Sequence, residues 1–436
     1  MKNNFRIILI AVFLAFFVFA VMIFSGLIPI GSGGKSSSTA SGTVVIWGTM
    51  PAQDISPIID NINIQNQNLV VRYLEQDPNT YEQKLLESFA SGTSPDLFML
   101  PDNLILKEQD QIYHIPYATF PAKTFQDTFI DGASVYLAKD GVLAIPLVVD
   151  PIVVYYNKDL LGNEAIAAPP QYWDQLFNLV PKLTKKRGDG TITQSTIALG
   201  SFDNIRHAKD ILALLSVQSG NSIVIRDKDG NLKPTLIQNL SVAQSPFEAV
   251  VSFFIEFSSP TNSAYSWNRA MPNSRDLFTS GKLAFYIGRA SELFTIESIN
   301  PNLSFNVMPV FQTQGTNTRR TVGRITALAI SKSAANQLGA FEVAMNLTST
   351  DNEKAFAIAQ SLPPARRDLL SVLPEDPTMS SFFSSAIMTR TWLDPDSKAT
   401  DLIFKEMIDN VTSNKLDISN AVIKAQGQIE LLMNNK

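Results

Sequence analysis

The chain contains no cysteine and only two histidines among its 436 residues. Without cysteine there is no disulfide, no thiolate nucleophile and no cysteine-ligated metal. The histidines, His114 and His207, lie far apart in the sequence and lack the His-x-x-x-His spacing of a zinc site. The sequence therefore predicts neither a metal centre nor a cofactor.

An excess of positive charge is also absent, because the net charge is −5 and charged residues make up 17% of the chain. This composition gives no basic signature for a nucleic-acid partner. No Gly-x-Ser-x-Gly elbow or phosphate-binding Walker loop is present. The segment Asp227–Asn231 superficially suggests a calcium loop, but its glycine comes two positions too early and no glutamate closes the loop, so a hairpin turn is predicted there.

The N-terminal part carries a run of 24 uncharged residues, from Ile7 to Ile30. As a helix this run would be about 36 Å long, enough to span roughly 30 Å of hydrocarbon. Lys2 and Arg6 place its start in the cytoplasm, so residues 1–30 are predicted to form a single-pass anchor in the cell membrane, with the rest outside. A cleaved signal peptide is the alternative, although no clean Ala-x-Ala site follows.

A Gly/Ser-rich linker, residues 31–42, separates this segment from nearly 400 residues that are too many for one ordinary core. The first of these residues alternate between strand and helix patterns. A helix with a capping box at Thr80 and a glycine stop at Gly92 lies between the second and third strands. Its apolar face contains Tyr81, Leu85, Leu86 and Phe89, and the three strands are Thr43–Trp47, Leu69–Tyr73 and Asp96–Leu100. Such alternation predicts a parallel sheet, with ligands beyond the carboxyl ends of its strands.

Two apolar runs meet at Asp150 and Pro151, inside the segment Gly141–Leu161. Proline cannot donate to a strand ladder, so the pattern predicts two strands with the chain crossing between two sheets at Asp150. An edge strand with a proline bulge in one domain is the alternative. The strand Phe305–Phe311, broken by Pro309, is the second crossing candidate.

Several segments resemble a known family in the same order along the chain. They are Leu143–Pro146, Tyr155–Leu161, Pro169–Asp174, Phe278–Phe285, Val307–Pro309, Leu328–Ser331 and Pro363–Asp368. Over roughly residues 43–433 the sequence is similar to the family 1 extracellular solute-binding proteins, the maltose-binding-protein-like receptors of ABC importers. Tethering through a lipidated cysteine, common in this family, is excluded here.

The resemblance implies an α/β, two-lobed periplasmic-binding-protein-like fold of type II, each lobe a mostly parallel sheet flanked by helices. Lobe 1 would comprise residues 43–149 plus about 311–349, and lobe 2 residues 150–310 plus about 350–436. It implies a monomer, not an enzyme, that closes around a solute and delivers it to ABC permease subunits.

A sugar site needs aromatic faces and bidentate polar groups. The ligand-binding candidates are Trp47, Asp102, Asn103, Asp150, Trp267, Arg289, Arg324 and Trp392. Structural roles are the alternatives: a core position for Trp47, a turn or cap for Asp102 and Asn103, and a local ion pair for Arg324.

The family resemblance adds to three of these candidates. It implies that Asp150 occupies the position of an acidic ligand-binding residue, and Trp392 lies in a segment that resembles a site-proximal one. Arg289 replaces an aromatic residue of the maltose-binding members, which leaves room for an acidic or phosphorylated ligand. Trp267 lies outside any clear apolar periodicity, so it is expected to face the cleft.

The leading function is an extracytoplasmic receptor for a small polar solute, with a sugar or oligosaccharide as the first candidate. One alternative is a sensor or adhesion module on the same fold. The other is a glycoside hydrolase with Asp102 and Asp150 as paired carboxylates.

Overall fold

The computed structural model describes residues 40–66, 68–227, 230–237, 245–316 and 318–434. The predicted membrane segment, residues 7–30, and most of the linker lie outside this part of the chain. Within the described ranges, no helix has both the length and the apolar character that crossing a bilayer requires.

The structure contains strands and helices in alternation over most of its length. The strands are β1 (Gly42–Gly48), β2 (Leu69–Glu75), β3 (Leu97–Pro101), β4 (Ile115–Pro116), β5 (Gly141–Val142), β6 (Ala144–Asn157), β7 (Lys185–Lys186), β8 (Ile192–Ile197), β9 (Val224–Arg226), β10 (Leu232–Pro234), β11 (Leu283–Arg289), β12 (Phe305–Pro309), β13 (Thr321–Ile330) and β14 (Thr389–Arg390).

The α-helices are α1 (Ala52–Gln65), α2 (Tyr81–Ser91), α3 (Ile105–Glu108), α4 (Ala122–Thr128), α5 (Lys158–Asn163), α6 (Gln175–Leu183), α7 (Ala208–Gln218), α8 (Pro246–Glu256), α9 (Ser274–Thr279), α10 (Leu293–Ile299), α11 (Gln337–Leu347), α12 (Thr350–Gln360), α13 (Arg367–Leu370), α14 (Pro377–Met388), α15 (Ser397–Thr412) and α16 (Ile418–Asn434). Short 3-10 turns include Asp102–Leu104 and Ala290–Glu292.

The main sheet has the strand order β2-β1-β3-β13-β6-β11-β8-β7, with β12 beside β6 and β14 beside β13. The predicted parallel strand-helix-strand unit is confirmed, since β1 pairs in parallel with both β2 and β3. The prediction of mostly parallel sheets is wrong, however. β13 runs antiparallel to both β3 and β6, and β6 runs antiparallel to β11, because the chain turns back each time it crosses the molecule.

Strand β6 contains the predicted crossing. Its first half pairs with β13, up to the pair between Pro151 and Gly323, and its second half pairs with β11 and β12. Asp150 and Pro151 thus lie where β6 changes its pairing partners, but the chain continues there as one strand of 14 residues rather than two, and both halves of β6 belong to one sheet. The crossing between two lobes stays a prediction. Proline's fixed φ suits extended backbone, and the missing N–H falls where the strand changes partners. A side chain at Gly323 would come within 2.7 Å of the Asp150 carbonyl oxygen, so only glycine allows this approach.

The second crossing candidate lies at a similar change along β6, because β12 pairs with the second half of β6 and β13 with the first. The predicted hairpin near Asp227 is present as the antiparallel pair of β9 and β10.

Helix α2 starts and stops as predicted, but two details differ. The side chain of Thr80 makes no capping hydrogen bond. Leu86 is exposed, whereas Tyr81 and Leu85 are buried, so the apolar face is narrower than its periodicity indicates.

The C-terminal helices pack on two different parts of the molecule. Helix α12 packs on α1, where the Gln360 side chain donates a 2.9 Å hydrogen bond to Asp54. Helices α15 and α16 pack on each other and against α8. The prediction that residues after about 350 pack mainly on the second lobe describes α15 and α16 but not α12.

Candidate functional site

Two adjoining cavities lie beyond the ends of β3 and β11, next to the first turn of α7. The outer cavity has a volume of about 610 Å³ and the inner cavity about 30 Å³. Four residues line both: Lys209, Asp210, Arg289 and Arg324. The outer volume is that of a small-molecule site, whereas the inner volume matches a single water molecule.

The carboxyl end of β3 supplies one wall of the inner cavity. Asp102 follows β3 directly, and its carboxylate accepts a hydrogen bond from the Ile325 amide at 3.2 Å and lies 3.4 Å from Nε of Arg324. Burial raises the pKa of Asp102 to about 6, although Arg324 and the Ile325 amide work against this. Asn103 lines the same cavity. Asp102 and Asn103 thus line a cavity beyond a strand end, and their contact with a ligand stays a prediction.

A second ion pair lies between the cavities. Arg289, at the end of β11, donates through a terminal nitrogen to Asp210 Oδ2 at 2.6 Å, and its side chain is 16% exposed. Burial raises the pKa of the Asp210 carboxyl, but the charges of Arg289 and His207 outweigh this and hold it well below its ordinary value. Both groups therefore stay charged at neutral pH.

Every lysine and arginine lining the two cavities has a carboxylate within 4.0 Å. The distances are 2.6 Å for Arg289–Asp210, 3.4 Å for Arg324–Asp102, 3.1 Å for Lys209–Asp394, 2.5 Å for Arg390–Asp131, 2.7 Å for Lys405–Asp203 and 3.9 Å for Lys398–Glu82. The lining thus presents donors and acceptors side by side rather than a patch of one sign.

The three candidate tryptophans have different environments. Trp392 is half-buried and lines the inner cavity. Trp47 is half-buried within β1 but does not line either cavity. Trp267 is fully buried, and its Nε1 donates to Asn204 Oδ1 at 3.0 Å. The expectation that Trp267 faces the cleft is therefore wrong, because a core hydrogen bond and apolar packing enclose it.

Asp150 lies at the crossing but outside both cavities. Its carboxylate accepts from the Ser291 amide at 2.9 Å and from the Ser291 hydroxyl at 2.7 Å, and so caps the turn that leads into α10. Asp102 and Asp150 therefore do not face one cavity as a pair of hydrolytic carboxylates would.

The Asp150 cap should contribute measurably to stability. We expect Asp150→Ala to lower the free energy of unfolding by about 1 kcal/mol, because the replacement removes the acceptor of a turn that begins a helix. Urea unfolding measures the change. Ser291→Ala is the matched control, since it removes the hydroxyl donor but keeps the amide, and should cost less.

The same variant tests the ligand contact predicted for Asp150. If Asp150→Ala abolishes solute binding at unchanged stability, the residue contacts the solute and does not act as a cap.

Comparison with known proteins shows the family of the chain. The family model for bacterial extracellular solute-binding proteins matches residues 58–380. The chain belongs to this family. It is accordingly a solute-binding protein rather than an enzyme. A search of curated proteins returned no match.

Solved structures of solute-binding proteins share the fold. A cyclic α-maltosyl-1,6-maltose-binding protein from Arthrobacter globiformis superposes with a TM-score of 0.74 at 13% identity, covering 91% of this chain and 100% of the other. A cyclo/maltodextrin-binding protein complexed with maltotetraose gives 0.73 at 15% identity, covering 91% and 98%. An ABC substrate-binding protein from Listeria monocytogenes, in complex with cycloalternan, gives 0.65 at 15% identity, covering 90% and 99%. The fold is thus the two-lobed α/β fold of solute-binding proteins.

Five of the eight candidate residues line the inner cavity of this solute-binding protein: Asp102, Asn103, Arg289, Arg324 and Trp392. Sequence reasoning missed Lys209, Asp210 and His207. Their signal in the sequence is weak, because a polar first turn before an apolar run marks the start of any helix. Only the tertiary packing shows that the first turn of α7 faces Arg289.

Proposed function

We propose that this solute-binding protein captures a neutral sugar or oligosaccharide by hinge closure and delivers it to the permease of an ABC importer. The main supporting observation is that each lysine and arginine side chain lining the cavities is close to a carboxylate. A guanidinium beside a carboxylate offers a donor and an acceptor a few ångströms apart, as the adjacent hydroxyls of a sugar require.

The charge pairing also argues against an acidic or phosphorylated solute. Such an anion would have to draw a cation away from its carboxylate partner and leave that carboxylate buried without a counter-charge. Ligands of proteins with the same fold are consistent with a carbohydrate, since the structures above include complexes with maltotetraose and cycloalternan.

The outer cavity has room for the solute and the inner cavity does not. We place the solute in the outer cavity, against Arg289 and Asp210. Asp102, Asn103 and Trp392 would reach it as the lobes move about the crossing strands. We propose residues 43–149 plus about 311–349 as lobe 1 and residues 150–310 plus about 350–436 as lobe 2, except that α12 packs on α1 of lobe 1.

The proposal extends to the location of the protein. The 24 uncharged residues from Ile7 to Ile30 would anchor the receptor in the cell membrane, with the solute-binding part on the extracytoplasmic side. Resistance of the full chain to extraction from membranes by alkaline carbonate tests the anchor.

A thermal-shift screen of the full-length chain tests the solute class. Matched probes differ only in charge: glucose, glucose 6-phosphate and glucuronic acid, with maltotriose and maltotetraose for length. A neutral carbohydrate at about 100 times its Kd is expected to stabilise the fold by about 2.7 kcal/mol. Mass spectrometry should recover it unchanged.

Larger shifts with the phosphate or the acid would overturn the neutral-sugar assignment. If none of these carbohydrates shifts the melting temperature, the proposed function fails.

A further inference from the structure

His207 stands next to the proposed solute site in an unusual environment. It immediately precedes α7 and has a left-handed backbone, with φ of 67°. Its ring lies between two carboxylates, with Nδ1 3.4 Å from Asp210 and Nε2 3.1 Å from Glu292. A neutral imidazole can donate from one nitrogen only, whereas the imidazolium donates from both. The geometry therefore fits the protonated ring.

The ring is connected to the Arg289 guanidinium through a single oxygen atom. Oδ2 of Asp210 is the atom that faces His207 Nδ1, and the same Oδ2 accepts the 2.6 Å hydrogen bond from Arg289. All three residues line the outer cavity. Two cations thus share one carboxylate oxygen. When the imidazolium loses its proton, Arg289 is the one of these two cations that remains.

The other charged groups around His207 keep their charges near neutral pH. Glu292 has a pKa lowered to about 2, since the hydrogen bonds and charges of His207, Tyr286 and Arg206 outweigh its burial. The other side-chain partners of Glu292 are Arg206 at 2.7 Å, Arg275 of α9 at 3.4 Å and the Tyr286 hydroxyl of β11 at 2.7 Å, and the Arg289 amide also donates to it at 3.3 Å. Within this cluster, the imidazole is the group that loses a proton first as the pH rises, from a pKa raised above the ordinary histidine value.

We infer that His207 is a positioning residue of the solute site: its protonated ring holds Asp210, and through it Arg289, in the arrangement that binds the solute. Solute affinity then falls as the ring loses its proton. The predicted change in solute affinity rests on the proposed function. The mechanism rests on the contacts between His207, Asp210 and Arg289.

The direction of the pH dependence follows from two groups. Burial lowers the pKa of His207, but its hydrogen bonds to Asp210 and Glu292 more than compensate and raise it above the ordinary value. Affinity is therefore expected to be constant below that pKa and to decline above it. On the acid side, Asp102 gains a proton below a pKa of about 6, which removes an acceptor for hydroxyl groups. The wild-type profile should be bell-shaped.

The experiment compares the two histidines of the chain. The Kd of maltotetraose is measured by calorimetry from pH 5 to 9 for the wild type, His207→Gln and His114→Gln. His207→Gln should bind about tenfold more weakly near neutral pH and lose the alkaline limb of the profile. His114→Gln is the matched control, because His114 pairs with exposed Asp140 away from the cavities, and should keep both limbs. An alkaline limb that persists unchanged in His207→Gln overturns the inference.

A second measurement needs neither a ligand nor a replacement of His207. NMR of the unliganded full chain, with labelled histidine and arginine, follows two imidazole signals, assigned with His114→Gln. The His207 signal should titrate above the ordinary pKa of histidine, and the Arg289 Nε resonance should move with the same midpoint. An Arg289 signal that ignores the His207 titration overturns the inference even if maltotetraose does not bind. Failure of all carbohydrates to bind, with the two signals moving together, rejects the proposed function alone.

Discussion

Replacing Arg289 by alanine is expected to weaken solute binding by about a hundredfold and to lower the free energy of unfolding by about 3 kcal/mol. Both effects have one cause. The replacement removes a donor that lines both cavities, and it leaves the Asp210 carboxylate, whose side chain is 22% exposed, without its guanidinium partner. Calorimetry with a carbohydrate found in the screen measures the first effect, and urea unfolding the second.

The chain offers a matched control at the surface. Arg269 pairs with Asp409 at the same 2.6 Å, but its side chain is 56% exposed. Arg269→Ala should change stability by less than about 1 kcal/mol, because solvent screens exposed ion pairs. It should leave the Kd unchanged, since Arg269 lines neither cavity.

A double replacement separates the two effects of Arg289. Arg289→Met combined with Asp210→Asn removes both charges of the pair, so no carboxylate is left without its guanidinium partner in the partly buried site, and most of the stability should return. Binding should not return, because the solute still lacks its charged donor and acceptor. Wild-type affinity in Arg289→Ala would show that the solute binds elsewhere.

Strand ends are the part of the site that could be predicted from the sequence. The apolar runs that end at Pro101 and Arg289 define buried strands, and the residues just beyond such ends gather at a sheet edge. This rule leads to Asp102, Asn103 and Arg289. The change of strand partner at Asp150 could be predicted as well, because a proline between two apolar runs removes a donor from the strand ladder.

The directions of the strands and the partners of each charge could not be predicted. Whether β13 runs parallel or antiparallel to β3 depends on how often the chain crosses between lobes, and each strand has the same period in either direction. Asp210 pairs with Arg289 across 79 positions of the sequence. Nothing in a local pattern states which of 40 acidic side chains an arginine will meet.

Trp267 and Trp392 illustrate the same limit, since each lies in a segment without clear periodicity and only one of them lines a cavity. Trp267→Ala is expected to lower the free energy of unfolding by about 3 to 5 kcal/mol, because the indole is fully buried and its removal leaves a cavity. Trp392→Ala should cost less stability, since Trp392 is only half-buried. The Trp392→Ala replacement should instead weaken carbohydrate binding by about 1 kcal/mol or more, because the sugar loses an aromatic face to pack against.

Urea unfolding and calorimetry on both variants separate these roles. Trp267→Phe is the control for the core, because it keeps most of the apolar volume and loses only the hydrogen bond to Asn204 Oδ1. It should therefore be more stable than Trp267→Ala. If Trp267→Ala instead keeps its stability and loses the solute, the indole contacts the ligand. If Trp392→Ala binds with unchanged affinity, the inner cavity stays closed when the solute binds, and the outer cavity holds the carbohydrate through polar groups alone.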